Sequence, residues 1–115
     1  MAERGFVDEI EHEIMVENNQ GVVKTKKING ILKGIILSAD EEVHIIINSE
    51  KGYRVFEEKQ LVGTHYFPLK FMALNNKFEK YKQVADDLYL NEKLNIYVIG
   101  QNKRIAKVTL RYLWK

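Results

Sequence analysis

The sequence contains no cysteine and a single proline. Without cysteine there is no disulfide framework, no thiolate metal site and no cysteine nucleophile. No Pro/Gly/Ser-rich linker divides the chain. Long hydrophobic runs are also missing. The longest aliphatic runs are Ile35-Ile36-Leu37 and Ile45-Ile46-Ile47, far short of the ~20 residues a membrane helix needs. No signal-peptide core follows Met1 and no N-x-S/T sequon occurs. A protein that stays in the reducing compartment where it is made, the cytoplasm, is expected, with no membrane partner.

Chemistry-bearing patterns are sparse too. The three histidines, His12, His44 and His65, fall on different predicted strands, with no local spacing that gathers metal ligands. There is no G-x-S-x-G and no glycine-rich phosphate loop. Ser38 and Ser49 precede acidic clusters, where serine serves turn chemistry. The carboxylate groups Asp40-Glu41-Glu42, Glu57-Glu58 and Asp86-Asp87 are sequence neighbours, and adjacent carboxylates on a turn point apart, whereas acid–base pairs must face each other across a cleft. No catalytic residue, cofactor or metal is expected, and a non-enzymatic role follows.

What is present is an ordinary globular composition: 115 residues, 45% hydrophobic and 30% charged, with a net charge of +2. That is one domain's worth of chain. The near-neutral total hides a split. Residues 1–17 hold six acids against Arg4, a net of −5, and the remainder holds 17 bases against 10 acids, a net of +7. From Lys93 to Lys115 there are six bases and no acid. An acidic beginning and a basic end suit electrostatic pairing, within the fold or between subunits.

Apolar residues recur mostly with period two, the mark of strands. Ala106, Val108, Leu110, Tyr112 and Trp114 alternate with polar residues, as do Leu94, Ile96 and Val98, and before them Ile10, His12, Ile14 and Val16. For the last two strands, parity predicts a hairpin with a three-residue turn at Gln101-Asn102-Lys103. Val98 would face Ala106, Ile96 would face Val108, and Asn102 or Lys103 would be left-handed. That register sets Tyr97 beside Lys107, and Lys93 beside Arg111. Asn29-Gly30 predicts a second hairpin, Ala39–Glu42 and Ser49–Gly52 two further turns, and Asn18–Gly21 the end of the first strand. Pro68 argues for an edge strand or a bulge. Phe78, Tyr81, Ala85 and Leu88 at helical spacing, behind Asn76 and Glu79, predict one short helix near 77–88.

The expected fold is therefore all-β: an antiparallel β-sandwich, jelly-roll-like or a small barrel, of about seven to nine short strands. Residues 1–17 form an acidic N-terminal arm or first strand, and 18–115 a single β-sandwich domain. The expected function is a structural or assembly module with protein partners, itself or other components of a larger particle. Its most specific form is an accessory virion protein of a tailed phage. The docking arm would use Phe6, Glu9, Ile10, Glu11, Glu13 and Ile14, and the basic hairpin would use Tyr97, Arg104, Lys107 and Arg111. Removing residues 2–16 is then expected to leave the sandwich folded and abolish assembly. The alternative is a barrel that binds single-stranded nucleic acid through the same basic hairpin, with cations around an exposed aromatic ring.

Overall fold

The computed structural model describes residues 6–68 and 88–114. They form one antiparallel sheet of seven strands, nearly closed into a barrel. The strands are β1 (Phe6–Met15), β2 (Gln20–Lys24), β3 (Ile28–Ser49), β4 (Arg54–Pro68), β5 (Leu88–Glu92), β6 (Leu94–Ile99) and β7 (Ile105–Trp114). The alternation seen in the sequence sorts the faces as expected. Ile14, Val16, Leu94, Ile96, Val98, Ala106, Val108, Leu110 and Tyr112 are all buried, while the glutamates of β1 stay in solvent.

The spine of the fold is β3. It pairs with β7 and β6 along one side and with β4 and β5 along the other. Its 22 residues would reach about 70 Å if straight, at roughly 3.3 Å per residue. The longest dimension of the molecule is 45 Å, so β3 must bend. Four register shifts along it allow this, and two of them set its faces. One falls between Leu32 and Gly34, and it switches the inward-facing residues from Ile28 and Leu32 to Ile35, Leu37 and Ala39. The other falls between Ala39 and Val43 and leaves Asp40, Glu41 and Glu42 exposed. The bent strand brings its own ends together: Ile28 lies opposite Glu92 and Ser49 opposite Leu94. That convergence carries the sheet towards closure.

Three local expectations are overturned by this long strand. Asn29-Gly30 is not a turn. It runs extended through β3, with Asn29 opposite Asn91 and Gly30 between Leu90 and Trp114. A two-residue turn of the favoured type needs positive φ at both positions, and neither residue has it; the β5 ladder, joined at Gly30 by β7, holds the pair flat instead. Ala39–Glu42 is a bulge within a continuous strand rather than a reversal. The C-terminal hairpin does not form either. β6 pairs with β2 and β3, and β7 pairs with β1 and β3. The two strands run end to end along one flank of β3, joined by residues 100–104. Val98 thus meets Gly21 and Ile45, and Ala106 meets Ile14 and Ala39.

Other expectations hold. Lys103 is left-handed, with φ 71°. Ser49–Gly52 turns, its Gly52 N–H donating to the Ser49 carbonyl at 2.9 Å, and the chain reverses at Asn18 and Asn19, both with positive φ. Pro68 ends β4, which pairs with β3 alone among the described residues. The helix expected over 77–88 lies outside the described residues, apart from Leu88, which opens β5.

Candidate functional site

The outer face of the sheet divides into two halves of different character. Over β1 and β7 the acidic and basic ends of the chain meet each other. Glu9 stands opposite Arg111, Glu11 opposite Thr109 and Glu13 opposite Lys107. Arg111 Nε lies 3.0 Å from the Glu9 carboxylate, and its guanidinium sits 5.8 Å from the centre of the Tyr66 ring. Tyr66 in turn covers Gly34, where a Cβ would fall 2.6 Å from the ring. Only the absence of a side chain at position 34 lets the ring lie flat across β3 beside Arg111.

The residues expected in the arm and in the basic hairpin therefore lie mostly in one ladder. Phe6 lies opposite Trp114 in that ladder. Ile10 packs against the core and Ile14 belongs to it. Arg104 is separate: its guanidinium contacts Glu41 at 2.7 Å and donates to Gln101 at 2.9 Å. Tyr97 is far along the sheet from Lys107, since it stands between Val22 and Ile46 while Lys107 stands between Glu13 and Ser38. The expected cluster of cations around Tyr97 is not assembled.

The other half, over β2, β6 and the adjoining part of β3, sets an apolar row between polar ones, Gln20 and His44 on one side and Lys24, Asn95 and Asn48 on the other. Val22, Tyr97 and Ile46 form one cross-strand row. Ile99 stands in the next row, and Met15 and Ile105 form a pair nearby at the start of β7. Val22 is 51% exposed and Met15 47%; Ile99 and Ile105 are also exposed. Tyr97 apart, sequence reasoning passed over these residues. Their signal was present: Ile99 and Ile105 add apolar side chains at the positions where the β6 and β7 alternation calls for polar ones.

At the bend of the sheet a groove of about 740 Å³ is lined by Glu41, Glu42, His44, Lys59, Gln101 and Arg104, among others. Part of its charge is paired. Arg104 is paired with Glu41, and His44 Nε2 lies 2.6 Å from the Glu57 carboxylate, which Arg54 also contacts. The His44 hydrogen bond, aided by the charge of Arg54, lowers the Glu57 pKa against the opposing effect of burial. A lowered carboxylate pKa adds stability that is present above the ordinary carboxylate range and is lost as pH falls through the lowered value. Both side chains are 29% exposed, so the gain is small, about 0.2–1 kcal/mol. Glu57→Gln is expected to flatten the acid limb of stability against pH by that amount, as read by urea unfolding between neutral and acid pH. An unchanged acid limb would show that the pair contributes nothing. Among the described residues no three His, Asp or Glu side chains are placed to hold a metal ion.

A second cavity, of about 320 Å³, opens beside β5 and the Ser49–Tyr53 turn. At its base Glu92 is 3% exposed. Its two carboxylate oxygens accept one hydroxyl each, from Ser49 and from Tyr53, the latter at 2.7 Å. Ser49 Oγ also accepts the Lys51 N–H at 2.8 Å. Burial, then the Glu92 hydrogen bond and charge, raise the Tyr53 pKa, so its hydroxyl stays a donor at neutral pH.

No family model and no curated protein matches the sequence. Among solved structures, a chain of the cryo-EM structure of the giant freshwater prawn Macrobrachium rosenbergii extra small virus (XSV) VLP is similar. The match covers 100% of this chain and 82% of that one, with 8% identity and a TM-score of 0.37. Among the described residues no helix is long and apolar enough to cross a membrane.

Proposed function

We propose that this chain is a non-enzymatic assembly module that works through protein–protein contacts, with copies of itself or with other parts of a larger particle. The observation that supports this is the apolar row on the outer face. Exposed apolar residues that share one stretch of sheet mark contact surfaces far more often than singly scattered ones do. Here the exposed Val22 and Ile99 share the β2–β6–β3 surface with the half-buried Tyr97 and Ile46, and the exposed Met15 and Ile105 lie close by. The matched charges of the β1–β7 ladder leave that half less able to attract a charged partner. In its most specific form the reading is an accessory virion protein of a tailed phage, serving capsid decoration, head–tail joining or fibre support. That form rests on chain length and fold class, which do not imply function by themselves. Its location would be the cytoplasm at synthesis and the virion afterwards.

The test is sedimentation of the protein alone and in lysate of its source. The wild type is expected to run as an oligomer or to travel with a large particle. Val22→Glu combined with Ile99→Glu is expected to run as a monomer with an unchanged circular dichroism spectrum, because both positions face solvent. A wild type that is monomeric in both settings overturns the assembly reading. Binding of labelled single strands with a steep salt dependence would replace it with the nucleic-acid alternative.

A further inference from the structure

We infer that the cavity beside β5 is a binding site for a neutral polyhydroxylated ring, a monosaccharide or the terminal unit of a glycan. This does not rest on the assembly reading. Tyr53 and Tyr89 both line the cavity, 41% and 58% exposed. Aromatic rings present an apolar face, and the C–H face of a sugar ring is the complementary surface. Asn29 and Asn91 lie opposite each other across the β3–β5 pair and line the same cavity. A carboxamide offers two donors and an acceptor, which suits vicinal hydroxyls.

Glu92 holds one of the rings in place from beneath. Its side chain is 3% exposed and, by strand alternation, lies on the opposite face of β5 from Tyr89 and Asn91. It accepts hydrogen bonds from Ser49 and Tyr53, so the Tyr53 ring is fixed before any ligand arrives. The groups left to meet ligand hydroxyls are the two carboxamides, which suit a neutral ligand, and Lys51 on the cavity wall disfavours cations. A volume of about 320 Å³ sits at the small end of the ~300–1,000 Å³ found for small-molecule sites. The sequence could not have located this site, because Asn29, Tyr53 and the β5 residues Tyr89 and Asn91 are far apart along the chain and only the closure of β3 brings them together.

Saturation-transfer difference NMR on the full chain tests this, and it works whatever the size of the assembly. The probes are the methyl glycosides of glucose, galactose, mannose and N-acetylglucosamine, with tetramethylammonium as a cationic control. At least one glycoside is expected to take up saturation on one ring face and to saturate on titration. Tyr89→Ala should weaken it at least tenfold, and Tyr89→Phe, which keeps the ring, should not. Position 89 is exposed, so both variants should keep the wild-type circular dichroism spectrum. Glu92→Gln should also weaken binding, and Tyr89→Ala decides the matter if that buried change unfolds the protein. The proposal is overturned if no glycoside takes up saturation, if tetramethylammonium does so in their place, or if Tyr89→Ala binds as well as the wild type.

Discussion

Deleting residues 2–16 is expected to unfold the protein rather than release a folded sandwich from a docking arm. The deletion removes β1, and with it Ile14, which is 3% exposed, Val16, which is fully buried, and Ile10, which packs on the same core. Burying an aliphatic side chain of this size contributes about 1.5–3 kcal/mol, and the whole stability of such a domain is only about 5–15 kcal/mol. Three such losses take up most of that. The deletion also strips one flank of β7, whose ten residues all have partners on β1, and a long bare edge of this kind recruits other chains. Soluble yield and far-ultraviolet circular dichroism read the result. A truncated protein that is soluble and retains the β spectrum would show β1 to be dispensable and would return it to the role of an arm.

The second large effect is expected at Gly21. This buried residue lies where β2 passes against the end of β1. A Cβ there would fall 2.7 Å from Ile14 Cγ2 and 2.7 Å from the Met15 carbonyl oxygen. One obstacle is a core side chain and the other is backbone, so neither yields easily. Gly21→Ala is expected to cost about 3 kcal/mol, the upper part of the usual overpacking range. Gly100→Ala meets Val43 Cγ1 at 3.3 Å, with Glu42 O and Val43 Cα at ordinary contact distances of 3.6 and 3.8 Å, and should cost much less. Urea unfolding compares the two: the midpoint for Gly21→Ala should fall sharply with the slope unchanged. If the two alanine variants unfold together, β2 does not press on β1 as described.

The faces of the sheet were legible in the sequence, and the pairing was not. Alternation at Leu94–Val98 and Ala106–Tyr112 named the inward residues correctly, because burial on one face enforces period two whatever the neighbouring strand is. The same parity misled about partners. A hairpin and an end-to-end continuation along β3 both leave Val98 and Ala106 facing the core, and no local signal separates them. Asn29-Gly30 and Asp40–Glu42 failed for a related reason. Turn chemistry expresses a local preference. At Asn29-Gly30 the β5 ladder, joined at Gly30 by β7, overrode it, and Asp40–Glu42, unpaired themselves, bulge between segments of β3 that are paired on both sides. The Glu9–Arg111 meeting was foreshadowed by the −5 and +7 split, which left open whether the charges meet within one chain. The Glu92 cavity left no trace in the sequence, since it depends on the two ends of β3 closing on residues 92–94.

The pairing of β1 with β7 has a consequence for biosynthesis. β1 leaves the ribosome before the other described strands, and its partner strand, Ile105–Trp114, follows all of them. At ~5–20 residues per second, β1 waits for seconds with one row of apolar side chains uncovered. Glu9, Glu11 and Glu13 alternate through that row, and charges interleaved in a hydrophobic strand act as gatekeepers against premature association. The acidic character of β1 thus protects the nascent strand while it waits, and finds its basic counterpart only when synthesis reaches β7.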